Sequence, residues 1–136
     1  MIFNGKDSIL GRLSTEAAKA ALEGDEVVIV NANDIVIIGG KNSIVYKYKE
    51  RRRIVTMAKG PFFPRTTIGI VKRSIRGMVK RKRSKGMDAF RRIKVYEGVP
   101  EEYKNKEMID TAKVKMDRPV HKIKVSELAN ILKQNI

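Results

Sequence analysis

Apolar residues open the chain as a short run, Met1-Ile2-Phe3-Asn4, and then recur at spacings of three and four at Leu10, Leu13, Ala17 and Ala21. The first pattern predicts a short strand and the second a helix from about Ser8 with one buried face. Asp7 or Ser8 is placed to cap that helix, and Gly24 to end it, because glycine reaches the left-handed conformation cheaply. Glu26-Val27-Val28-Ile29-Val30-Asn31 is apolar on both faces, as in a strand covered on both sides. Strand, helix and strand within about 30 residues is the spacing of a βαβ unit, with a right-handed crossover expected.

Further along, Asn31-Ala32-Asn33-Asp34 is turn chemistry, and Ile35 to Ile38 is a brief apolar run closed by Gly39-Gly40. A second helix is predicted over about 42–57, with Ile44, Val45, Tyr48 and Val55 inward. Gly60-Pro61-Phe62-Phe63-Pro64-Arg65 reads as a loop, since both prolines lack an N–H and push their predecessors out of helical geometry. A third helix carries the stripe Ile68, Val71, Ile75 and Val79, with Lys72, Arg76, Lys80 and Arg83 on an adjacent face. Gly86 is expected to break that pattern before a helical turn at Ala89 and Phe90 and a strand at Ile93-Lys94-Val95-Tyr96. Residues 98–125 carry the weakest pattern, and Ser126 opens a last helix with Leu128, Ile131 and Leu132 on one side. The 136 residues fit one domain with no linker that would divide it.

Charge changes this picture. Residues 41–94 hold 19 lysines and arginines against two acids, Glu50 and Asp88, within a chain of net charge +15. Such like charge repels itself and is relieved by a polyanion, most commonly nucleic acid. A solvated face normally alternates signs, whereas Arg51-Arg52-Arg53 and Lys80-Arg81-Lys82-Arg83 do not. The apolar content of 42% argues against general disorder, and the absence of cysteine excludes disulfides and thiol catalysis. No signal-peptide core follows Met1, and the longest apolar run is far short of the roughly 20 residues of a membrane span, so a soluble, intracellular protein is expected.

Catalytic chemistry finds little support. His121 is the sole histidine, and Glu101-Glu102 are chain neighbours whose side chains point apart. Gly39-Gly40-Lys41 resembles a phosphate loop, but Ile35 and Asn42 stand where the pattern needs Gly and Ser/Thr. Gly11 lies inside the first helix, where close approach of another helix or of an RNA backbone would explain it. Phe62 and Phe63 either stack on bases or pin their loop to the core. The methionines from Met57 onward read as core filler.

Ile75-Arg76-Gly77-Met78-Val79, then Gly86, Ala89 and Arg92, then Ile93-Lys94-Val95-Tyr96-Glu97-Gly98-Val99-Pro100 resemble the signature of the universal large-subunit ribosomal protein L-thirteen family. The similarity extends back through Gly60-Pro61, Pro64-Arg65, Val30-Asn31-Ala32, Ala18-Lys19, Gly11-Arg12-Leu13 and Asp7. It covers about residues 2–100, and the compact start and the tail resemble the archaeal type. The resemblance implies a three-layer α/β/α fold around a small, mostly parallel sheet of about four strands, ribosomal RNA binding, a role in subunit assembly and no catalysis. Bacterial members carry proline where this chain has Lys80, so the third helix is expected to run on past that point.

The expected protein is therefore one domain over residues 1–136, with a basic RNA-binding region at 41–94 and a C-terminal extension from about 101. Its candidate phosphate contacts are Arg51, Arg52, Arg53, Lys59, Arg65, Lys72, Arg73, Arg76, Lys80, Arg81, Lys82, Arg83, Lys85, Arg91 and Arg92. Expected partners are large-subunit ribosomal RNA and neighbouring large-subunit proteins in the cytoplasm, with no cofactor, metal, membrane or small-molecule substrate. Two rivals share the charge argument: an RNA-modifying or RNA-cleaving enzyme using Asp34, Glu101 or His121, and a chromatin-type DNA-binding protein.

Overall fold

A computed structural model describes residues 1–53, 66–80, 83–110 and 121–134, the side chains of 51–53 and 134 excepted. Strand β1 (Ile2–Asn4), helix α1 (Leu10–Leu22) and strand β2 (Val27–Val30) form the βαβ unit that the periodicity predicts. β1 and β2 pair in parallel with Phe3 opposite Ile29, and β4 (Ile93–Val95) pairs in parallel on the other side of β2, with Val28 opposite Lys94. All four β2 residues are buried, as their unbroken apolar run requires. The outer edge of β1 is covered by Ile109, whose N–H donates to the Ile2 carbonyl at 2.7 Å while its carbonyl accepts from Asn4 at 3.0 Å.

The chain then leaves the sheet through a 3₁₀ turn, Ala32–Asp34, into β3 (Val36–Ile38). β3 pairs antiparallel with β5 (Lys122–Lys124), so a two-stranded ribbon stands apart from the three-stranded parallel sheet. The fold is thus mixed α/β with a small, mostly parallel sheet, its strands divided between two sheets. Helices α2 (Lys41–Arg53), α3 (Thr67–Val79), α4 (Ser84–Arg91) and α5 (Val125–Gln134) and a second 3₁₀ turn, Glu101–Tyr103, complete the described elements. Ile44 is buried on α2, with Val45 and Tyr48 packed beside the core; Val55 and the 60–65 loop lie outside the described residues.

α1 packs chiefly on α3. Ala17, Ala18 and Ala21 present little bulk on the α1 side, which lets Val71, Ile75 and Val79 of α3 approach closely. The buried side of α3 is wider than the expected stripe, because Thr67 and Ile70 are enclosed while Ile68 is only half-buried. Leu128 and Leu132 of α5 join the same core.

Local capping departs from expectation at α1. Its cap is Ile9 and no side chain bonds there; the Ser8 hydroxyl donates instead to the Asn4 carbonyl at 2.9 Å, and Asp7 adopts φ +58°. Glycine does close the other end, with Gly24 at φ +104° and its N–H on the Ala21 carbonyl. Thr66 caps α3, its hydroxyl oxygen accepting from the Gly69 N–H at 3.0 Å.

Candidate nucleic-acid interface

Two sequence expectations at the basic segment are corrected. α3 does not run past Lys80: it ends at Val79, and Lys80 takes the left-handed conformation at φ +55°, a common way to terminate a helix. Gly86 does not break a helix either, since it lies buried within α4. A Cβ there would sit 2.1 Å from the Lys80 carbonyl oxygen and 2.4 Å from that of Val79, so only glycine lets α4 fold back against the end of α3. The turn is closed by the Arg83 N–H donating to the Lys80 carbonyl at 3.0 Å.

The result is a corner, α3 against α4, backed by α1. Arg73, Lys80, Arg83 and Lys85 are exposed on it, and Lys72 and Arg76 are half-buried along α3. The expected cationic face of Lys72, Arg76, Lys80 and Arg83 therefore bends at Lys80, and its last member belongs to the cap of α4. Arg51, Arg52 and Arg53 end α2. Lys59, Arg65, Arg81 and Lys82 lie outside the described residues.

Arg91 and Arg92 separate in role. Arg91 is exposed on the last turn of α4. Arg92 is partly buried and donates through Nη1 to the Ala21 carbonyl at 2.9 Å, joining the end of α4 to the end of α1. Its guanidinium is a second donor to this helix-end carbonyl, which also accepts from the Gly24 N–H. The adjacency of the two arginines hides this difference in the sequence.

Residues named for catalysis are not assembled. Asp34 accepts from Lys124 Nζ at 3.4 Å beside the Val36 end of the ribbon, while His121 adjoins the Ile38 end, where its carbonyl accepts from Gly39 at 2.8 Å. Gly39-Gly40 leads from β3 into α2, a strand-to-helix turn, and Lys41 pairs with Glu127 at 2.7 Å. Among the described residues no group of three or more His, Cys, Asp or Glu could hold a metal ion, and no helix is long and apolar enough to cross a membrane. Near the family-signature proline, partial burial together with the Glu102 charge and the adjacent Tyr96 raises the Tyr103 phenol above its ordinary 10.0. The two rings lie 5.8 Å apart.

Fold and surface together define a class: a basic α/β domain with a cluster of lysines and arginines at one helical corner. The sequence then places it within that class. A family model described as Ribosomal protein L13 matches residues 1–102. The chain is 44% identical over 106 residues to the large ribosomal subunit protein uL13 of Archaeoglobus fulgidus, covering 78% of this chain and 68% of that one. It is 37% identical over 131 residues to the protein of the same name from Thermoplasma volcanium, covering 96% of each. With that of Methanocaldococcus jannaschii it shares 45% over 103 residues, 73% of this chain and 75% of the other. The chain belongs to the ribosomal protein L13 family, as its signature residues led us to expect, and these relatives are of the archaeal type.

Proposed function

We propose that this protein is a structural, non-catalytic component of the large ribosomal subunit in the cytoplasm, that it binds the subunit's ribosomal RNA, and that it supports assembly beside neighbouring large-subunit proteins. The observation that carries the reading is the helical corner, where Lys72, Arg73, Arg76, Lys80, Arg83 and Lys85 are held on a rigid scaffold and Asp88 is the sole acid of residues 66–94. The relatives' shared designation as large-subunit proteins supports it. Binding follows from neutralising phosphates and releasing their counterions, together with the fit of the corner to folded RNA. The separation of Asp34 from His121 disfavours the enzyme reading.

A salt titration tests this. If about eight phosphates are neutralised, log K for a large-subunit ribosomal RNA transcript falls by roughly 6 to 7 per tenfold rise in salt, taking DNA coefficients as the guide. A flat titration, or equal affinity for duplex DNA in competition, overturns the proposal.

A further inference from the structure

A groove of about 620 Å³ runs between α1 and the α3–α4 corner. Its floor is apolar, formed by Ala18, Leu22 and Met78, and Lys19, Lys80 and Lys85 stand on its rim against one acid, Glu23. Met78 was expected to be core filler, yet it is 40% exposed. Its sulfur lies 3.6 Å from the Thr15 hydroxyl, which itself donates to the Gly11 carbonyl at 2.9 Å. Gly77 beside it leaves the wall open, since a Cβ there would meet nothing within 4 Å. Among the described residues Gly77 therefore has no such neighbour, and Met78 is only partly covered, with Thr15 beside its sulfur. Lys80 holds a backbone conformation that glycine or asparagine would adopt more cheaply, and so sets its ammonium at this rim.

We propose that this groove receives a single unstacked nucleotide of the RNA, its base against Met78 and Leu22 and its phosphate between Lys80 and Lys85. The inference rests on the RNA-binding function proposed above and names one subsite of it. Three ammonium groups against one carboxylate favour an anion, and the apolar floor favours an anion with a flat, poorly hydrated face. A nucleotide has both, and RNA offers splayed-out bases at bulges and loops. The Met78 thioether suits contact with an aromatic ring, where sulfur lies about 5 Å from the ring. Glu23 adds an acceptor on the rim, suited to an exocyclic amino group.

Three variants of the full chain test the subsite with a large-subunit ribosomal RNA transcript. Gly77→Leu projects an apolar side chain into the groove without altering charge, its Cβ having open space within 4 Å, and Met78→Ser removes the floor contact. Each is expected to weaken binding about tenfold, the scale of one lost base contact, with the salt slope kept, and the melting temperature of Gly77→Leu should hold or rise because a helical glycine is replaced. Lys80→Gly relieves the backbone and is expected to raise the melting temperature while lowering the salt slope by about one. Unchanged affinity in both Gly77→Leu and Met78→Ser, with the parent's steep salt dependence intact, overturns the nucleotide site and leaves RNA binding standing. So does loss of a neighbouring protein, rather than of RNA, from reconstituted subunits carrying Gly77→Leu. A flat salt response in the parent protein removes both proposals.

Discussion

Adding one methyl group at Gly86 probes the α3–α4 corner most directly. In Gly86→Ala the new Cβ would lie 2.1 Å from the Lys80 oxygen, 2.4 Å from the Val79 oxygen and 2.7 Å from the Lys80 carbonyl carbon. A carbon and a carbonyl oxygen approach to about 3.3 Å without strain, so the corner must open by about 1 Å. Overpacking of this kind costs about 1–3 kcal/mol. All three obstacles are backbone atoms, which no rotamer change can move aside, so the upper end applies. Alanine returns about 1 kcal/mol through its better helix propensity, leaving a net loss of about 2 kcal/mol. Urea denaturation should show that loss as a lower midpoint with an unchanged slope. Thermal melting should fall by roughly 5–10 °C. Gly11→Ala and Gly77→Ala provide the control, since a Cβ at either site meets nothing within 4 Å. Both should gain about 0.5–1 kcal/mol from helix propensity alone. If Gly86→Ala proves as stable as those two, the close approach of α4 to Lys80 is not what holds the corner.

Further outcomes follow from single contacts. The Ser14 hydroxyl is buried without a hydrogen-bond partner among the described residues, so Ser14→Ala should stabilise the fold by about 1 kcal/mol in urea denaturation; a loss of stability would show that the hydroxyl is satisfied. Arg92→Ala, which removes the bond to the Ala21 carbonyl, should cost about 2 kcal/mol with little change in RNA affinity. Arg91→Ala should do the opposite, leaving stability within about 0.5 kcal/mol and reducing the salt slope by about one, and a reversed pair of results would reassign both arginines. Glu102→Gln should lower the Tyr103 phenol toward 10.0 in an ultraviolet titration, because the carboxylate opposes phenolate formation. Because the folded-state value is raised, any stability linked to that phenol is present below pH 10 and lost as pH rises past it.

The scaffold explains how so dense a charge is tolerated. Val71, Ile75 and Val79 bind α3 to α1 from one side, and the cations of the same helix occupy the other. Apolar burial on one face thus offsets repulsion on the faces beside it, which is the physical use of an amphipathic helix here. Glu127 and Asp34 engage Lys41 and Lys124, at the ribbon and its neighbours rather than at the corner.

Periodicity alone determined the βαβ unit, the buried faces of α1 and α3, strand β4 and the last helix, because each depends on side-chain spacing within a few consecutive residues. The excess of cations in residues 41–94 was equally legible, since charge needs no geometry to be counted. Tertiary structure decided what depends on contacts through space. Gly86 looked like a helix breaker and is a contact point within a helix; Arg92 looked like its neighbour Arg91 and instead ties two helix ends together. Met78 looked like core and lies on an open groove, because at the last turn of α3 the facing α1 residues Thr15, Ala18 and Leu22 leave it only partly covered. The β3–β5 ribbon joins residues more than 80 apart, and Ile109 closes the edge of β1 from a segment with no pattern of its own. Spacing along a chain reports which face of an element is apolar, whereas the partner that covers that face, or leaves it bare, is set only when distant segments meet.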